Sequence, residues 1–205
     1  MQRSTERKAE QKAERKAERK AEKMNRIIKS MDEKHREEAL DFVENVFTVS
    51  EGAESGKLVR ALVKEIRSKR FYLPELELIM VDEKDVIIGY VMFSRFHLEG
   101  KYEKQLLLLS PVAVKTELQR QHISKELIEF GFEKAKERGY EAVLVEGNPK
   151  NYNPRGFQTS CDYGIVAGAS VELPAPECLM VKELAEGALE HMEGVVDYSD
   201  YQCLT

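Results

Sequence analysis

The stretch from Leu106 to Phe157 constrains this chain more than any other. An apolar run, LLLLSPVAV, leads through a polar turn, KTELQRQHIS, into a charged helix. A second apolar run, AVLVEGN, follows and closes on NYNPRGF. The order is strand, turn, helix, strand, then a tyrosine on a short irregular segment, an arrangement suited to holding a long, phosphate-bearing ligand beside a sheet. Pro111 interrupts the first strand. A proline inside a ladder removes one donor and marks a bulge or a strand leaving its neighbour. The main-chain groups so released need partners elsewhere, and a ligand carrying amides would supply them.

The helix after the turn keeps a polar stripe at Lys125, Glu126, Glu129, Glu133, Lys136 and Glu137, while Ile123, Leu127, Ile128, Phe130 and Phe132 form a broad face expected to be buried. Arg138-Gly139 is a good stop. At its start, free N–H groups and the positive dipole end face the 119–124 turn, a ready anion site to which Arg120 adds charge.

The preceding residues complete a sheet. Arg26 to Lys29 reads as an edge strand, and Met31 to Phe47 as an amphipathic helix with Ala39, Val43 and Phe47 on one stripe. SEGAESG, residues 50–56, reads as a loop, and Lys57 to Ile66 as a second helix. Leu76 to Val81 and Val86 to Phe96 are strand-like runs, joined by Asp82 to Asp85 in a hairpin without the favoured Asn-Gly. Gln105 to Val114 is the next strand.

Residues 1–24 are a different object. ERKAEQKAERKAERKAEK repeats every four residues with alanine as its only apolar column, so it has helix propensity but no coiled-coil seam. Nine basic and five acidic side chains give this leader +4 and leave −9 for the rest of a chain whose total is −5. It is expected to be a solvated helix or fraying tail, with residues 25–205 forming one domain. The acidic remainder argues against general nucleic-acid affinity, except through the leader, and favours a cationic partner. No apolar run approaches the ~20 residues that span a bilayer. Cys161, Cys178 and Cys203 lie far apart with no metal-ligand spacing, so no metal site and a cytoplasmic location are expected.

Taken together, SPVAV, QRQHIS and GYEAVLVEGNPKNYNPRGF resemble the core of the GNAT-type N-acetyltransferases, closest to a bacterial predicted-acetyltransferase branch, over roughly Met31 to Tyr201. The resemblance implies an α+β (α/β/α layered) fold, with a mixed, mostly antiparallel central sheet whose fourth and fifth strands splay apart, flanked by helices. It implies transfer of an acetyl group from acetyl-CoA to a primary amine of a small molecule or peptide, directly within a ternary complex. By the same resemblance, Val112, Ala113 and Val114 pair with the pantetheine arm, Gln119 to Ser124 (Gln119, Arg120, Gln121, His122, Ile123, Ser124) hold the pyrophosphate, and Asn148 lies where the strands part. Tyr152 also falls at the cofactor and matches the family tyrosine that protonates the departing thiolate.

Two positions depart from the pattern. His122 and Ser124 stand where glycine is favoured, and a side chain forced into a left-handed conformation loses ~1–2 kcal/mol. On that ground His122→Gly is expected to tighten acetyl-CoA binding severalfold, unless the helix start needs no positive φ there. The acceptor base is not fixed by any motif; Glu146, ending the fifth strand, is the candidate. The other reading open to the sequence is a non-catalytic acyl-CoA-binding or interaction module with a basic N-terminal arm. Oligomeric state stays open, a homodimer included.

Overall fold

The computed structural model describes residues 26–204, and the charged leader assigned to residues 1–24 lies outside them. Ile27–Ser30 form β1, Arg36–Glu51 α1, Ala53–Ser68 α2, Glu77–Val81 β2, Ile87–Arg95 β3 and Leu106–Val114 β4. Ile123–Glu137 form α3, Ala142–Glu146 β5, and Pro149–Tyr152 the single turn α4. The short strands β6 (Gln158–Thr159), β7 (Ile165–Ala167), β8 (Leu179–Glu183) and β9 (Gly194–Val196) follow. The main sheet runs β1-β2-β3-β4-β5-β8-β6, while β7 and β9 make a separate parallel pair. Within the main sheet only β4 and β5 are parallel. The class is α+β, as the sequence implied.

Strand alternation sorts the sheet's side chains into two cores. Ile79, Val81, Tyr90, Met92, Leu106, Leu108, Ala142 and Leu144 face α1 and α2. Leu78, Met80, Val91, Phe93, Leu107, Leu109, Val143 and Val145 face α3. Phe130 is the exception to the face read for α3: it is exposed, with Lys134 Nζ 5.4 Å from its ring centre.

Pro111 marks a real irregularity. Val91 pairs with Val112 but Phe93 pairs with Leu109, so one extra β4 residue is accommodated around Ser110 and Pro111. Because side chains alternate with period two, one extra residue exchanges the faces. Leu106 and Leu108 point towards α1 and α2, whereas Val112 and Val114 pack on the α3 side. β4 and β5 pair only from Leu106–Ala142 to Leu108–Leu144, after which β4 runs on to Val114 with β3 as its partner.

The expected loop at residues 50–56 shrinks to one residue. α1 continues to Glu51 and α2 begins at Ala53, with Gly52 at φ 102 as the break. Gly56 is a packing position instead: a Cβ there would meet Thr48 Oγ1 at 2.1 Å and Glu44 O at 2.6 Å. The hairpin lacks Asn-Gly because Asp82 closes it, its carboxylate accepting from the Lys84 and Val86 amides at 2.9 and 3.0 Å.

Beneath α2 lies a buried ionic network. Glu77 is fully buried and accepts from Arg67 Nη2 at 2.6 Å, Tyr72 OH at 2.6 Å and Tyr90 OH at 2.7 Å. Burial, reinforced by the Glu77 charge, pushes both tyrosine hydroxyls well above their ordinary pKa. Removing one member of such a pair leaves an uncompensated charge, whereas replacing both with apolar residues is close to neutral. Glu77→Leu should therefore cost ~3–5 kcal/mol in urea unfolding, and the double variant Arg67→Met/Glu77→Leu should recover only the part due to the unpaired guanidinium, because Tyr72 and Tyr90 still lose their acceptor.

Candidate functional site

Where β4 and β5 part, a cleft of about 590 Å³ opens between the end of α1, the β4 edge, the start of α3 and α4. Val112 and Val114 line it from the sheet, and Gln119, Arg120, His122, Ile123 and Ser124 from the turn. Tyr152 closes it from α4. Eight of the residues singled out in the sequence thus line one cleft.

Four others lie elsewhere. Ala113 is buried among the side chains facing α1 and α2, on the opposite face from Val112 and Val114. Gln121 Oε1 accepts from Arg26 Nη2 at 2.7 Å, outside the lining. Asn148 is the exposed N-cap of α4, its Oδ1 accepting from the Lys150 amide at 3.0 Å. Glu146 also lies outside the cleft lining, and Leu144, two residues before it, belongs to the core beneath α1 and α2. By strand alternation Glu146 shares that face, whereas Tyr152 packs with the α3 side. The candidate base and candidate acid therefore flank the opening between β4 and β5 from opposite faces of the sheet.

The start of α3 has no side-chain cap. Its N-cap is His122, and the first helical bond runs from the Glu126 amide to His122 O. The amides of Ile123, Ser124 and Lys125 point out of the helix end, where the dipole favours negative charge. His122 has φ 65 and Arg120 φ 62, both left-handed, whereas Ser124 lies within the helix. The turn does require positive φ at His122, and the second strained position is Arg120, not Ser124.

Tyr152 is half-buried. Its ring meets Phe157 edge-on at 5.6 Å, and a Cβ on Gly147 would lie 2.6 Å from its Cε2. Burial raises the pKa of its hydroxyl and the nearby Arg155 charge partly opposes this, so the proton stays in place across the neutral range. Glu146 Oε2 accepts from Tyr198 OH at 3.1 Å. Desolvation raises the Glu146 pKa and that hydrogen bond restrains the rise. Tyr198 reaches Glu146 from the C-terminal segment, which is anchored by the Gln202 and Cys203 amides on Glu65 at 2.7 and 3.0 Å. Sequence reasoning missed Tyr198, Asn151 and Arg155, and also Val46, Phe47, Ser50 and Glu51 on the α1 wall. Arg155 was inside the quoted motif. Val46 and Phe47 read as an ordinary helix end, and Ser50 and Glu51 as part of the loop expected at residues 50–56.

The main sheet thus opens at its parallel pair beside a helix start without a side-chain cap. The family model described as Acetyltransferase (GNAT) family matches residues 31–159, and the chain belongs to that family. It is 29% identical over 141 residues to YhbS, an uncharacterised N-acetyltransferase of Escherichia coli (strain K12), covering 68% of this chain and 80% of that protein. The crystal structure of the E. coli YhbS N-acetyltransferase in complex with CoA matches with a TM-score of 0.73 at 24% identity, over 86% of this chain and 91% of that one. A GNAT family acetyltransferase from Brucella melitensis in complex with acetyl-CoA matches with a TM-score of 0.56 at 23% identity, over 65% and 82% of the two chains.

A left-handed backbone at His122 strains a residue that carries a side chain, so relieving it should be felt in the stability of the fold. Histidine tolerates the left-handed region better than most residues, and glycine loses more chain entropy on folding. His122→Gly should thus raise the unfolding free energy by no more than ~1 kcal/mol, read by denaturant titration.

Proposed function

We propose that the chain is an N-acetyltransferase that moves an acetyl group from acetyl-CoA to a primary amine of a small molecule or peptide, both bound at once. The observation that carries this reading is the convergence, in one cleft, of an unpaired β4 edge, an uncapped α3 N-terminus and a protonated tyrosine. Family membership supports it, as do the CoA and acetyl-CoA complexes of the proteins it resembles. The fit is chemical: edge amides and carbonyls of β4 suit an amide-bearing arm, and the α3 amides suit a pyrophosphate.

Acetyl-CoA supplies an activated thioester. The main chain of Val112 to Val114 would orient its arm, and the turn from Gln119 to Ser124 would hold its phosphates. Glu146 would take the proton that an ammonium must shed before nitrogen can attack the carbonyl carbon. Tyr152 would meet the charge developing on sulfur as the C–S bond breaks, giving its proton to the thiolate and regaining one as the new amide sheds its second N–H proton. Acid and base on opposite sides of the opening suit this direct transfer, in which positioning supplies most of the acceleration. The net charge outside the leader, −9, favours a cationic acceptor. Three free cysteines fit a reducing, cytoplasmic setting.

Release of coenzyme A thiol from acetyl-CoA across a panel of amines tests the reading, and binding without release under every amine would favour the non-catalytic module instead. Tyr152→Phe should lower kcat by on the order of 10²-fold with little change in acetyl-CoA affinity. Glu146 must be ionised to act. Since its pKa is raised, kcat/KM should fall on acidification at a higher pH than an ordinary glutamate would give. Tyr198→Phe removes a bond that restrains that pKa, so the acid limb should move to still higher pH, a shift read directly from the pH profile.

A further inference from the structure

Arg155 has no role in the reading above, yet its surroundings are specific. It ends the short turn Asn153–Arg155 that follows α4. Its side chain crosses to the opposite wall of the cleft, where Nη2 donates to Ser124 Oγ at 2.9 Å in the first turn of α3. Nη1 donates to the main-chain oxygen of Asn151. Nε is buried without a hydrogen-bond partner, and among the described residues no carboxylate pairs with the guanidinium. Glu51, the acidic side chain in the cleft wall, accepts from Ser55 Oγ at 2.7 Å.

Two physical points follow. A guanidinium carries five N–H donors in a rigid fork, and a buried donor left unpaired is costly, so a fork with spare donors in a cleft is best satisfied by an anion with several oxygens. The turn beneath it also differs from a glycine turn. Arg120 and His122 adopt left-handed backbone while carrying side chains, which limits how closely an anion can approach the amides. A long cationic arm from the far wall replaces that lost contact, because it reaches outward instead of requiring close approach.

We infer that Arg155 is a phosphate-binding residue, held by Ser124 and Asn151 so that its fork contacts the pyrophosphate of the coenzyme seated on the α3 N-terminus. This rests on the acetyl-CoA reading and adds a side-chain ligand to it. The same side chain lies 6.0 Å from the Tyr152 ring, measured from Cζ to the centroid, so one residue spans the phosphate turn and the tyrosine. Lysine would keep the charge but not the fork, and its three donors cannot hold both Ser124 and Asn151 while gripping two oxygens.

The test is calorimetry on the full-length protein with coenzyme A and with adenosine 3′-phosphate 5′-diphosphate, its phosphate-bearing half. Arg155→Gln should weaken both ligands alike, by about 10- to 100-fold, the range for a lost charge-assisted hydrogen bond. Arg155→Lys should fall between the two, and ligand-free melting temperatures should stay within a few degrees of the parent. Unchanged coenzyme A affinity overturns the assignment. So does a loss not shared by the nucleotide half, which would place Arg155 on the pantetheine arm, or a large fall in melting temperature, which would make it structural. A parent protein that binds neither ligand instead defeats the acetyl-CoA reading itself.

Discussion

The site depends on main-chain hydrogen bonds that β4 does not make to β5. Each backbone N–H and C=O must find a partner, and in a closed sheet the neighbouring strand supplies it. Here the parallel pairing stops at Leu108 and Leu144, while β4 continues for six residues. The bulge around Ser110 and Pro111 bends the strand and also exchanges its faces, which delivers Val112 and Val114 to the cleft and Ala113 to the core. A single inserted residue thus sets both the opening and its lining.

A strand that leaves its neighbour needs a rigid frame, and both faces of the sheet provide one. On the α3 face the seat is apolar. On the other it includes the Glu77 network, where one carboxylate satisfies an arginine and two tyrosines from three different segments. That network ties α2 to the central strands on the side opposite the phosphate turn. The C-terminal segment is fixed to α2 through Glu65 and carries Tyr198 to Glu146, so the candidate base is held by parts of the chain more than fifty residues away. The phosphate turn, by contrast, is local, and its strain at Arg120 and His122 is carried by the fold itself.

Most of the architecture was legible because its signals are local. Short apolar runs gave β1 to β5, helical spacing gave α1 to α3, and Pro111 announced the bulge, whereas β6 to β9 were not read from the sequence. The loop expected at residues 50–56 failed because glycine has two uses. Gly52 breaks a helix by its backbone, whereas Gly56 lets α1 and α2 approach, and sequence does not distinguish them. Phe130 failed because one aromatic ring can be sheltered by a lysine on the outer face rather than by the core.

By itself, the sequence determined the strand–turn–helix–strand order, the charge around the turn and the position of Tyr152, all of which follow from residues near one another in the chain. Only the tertiary structure decided that Ala113 leaves the cleft while Val112 and Val114 enter it, since face depends on register and register is set by pairing with β3. It alone brought Arg155 to Ser124 and Tyr198 to Glu146, contacts across 31 and 52 residues. Such meetings depend on how strands and helices are ordered in space, and no local pattern records that.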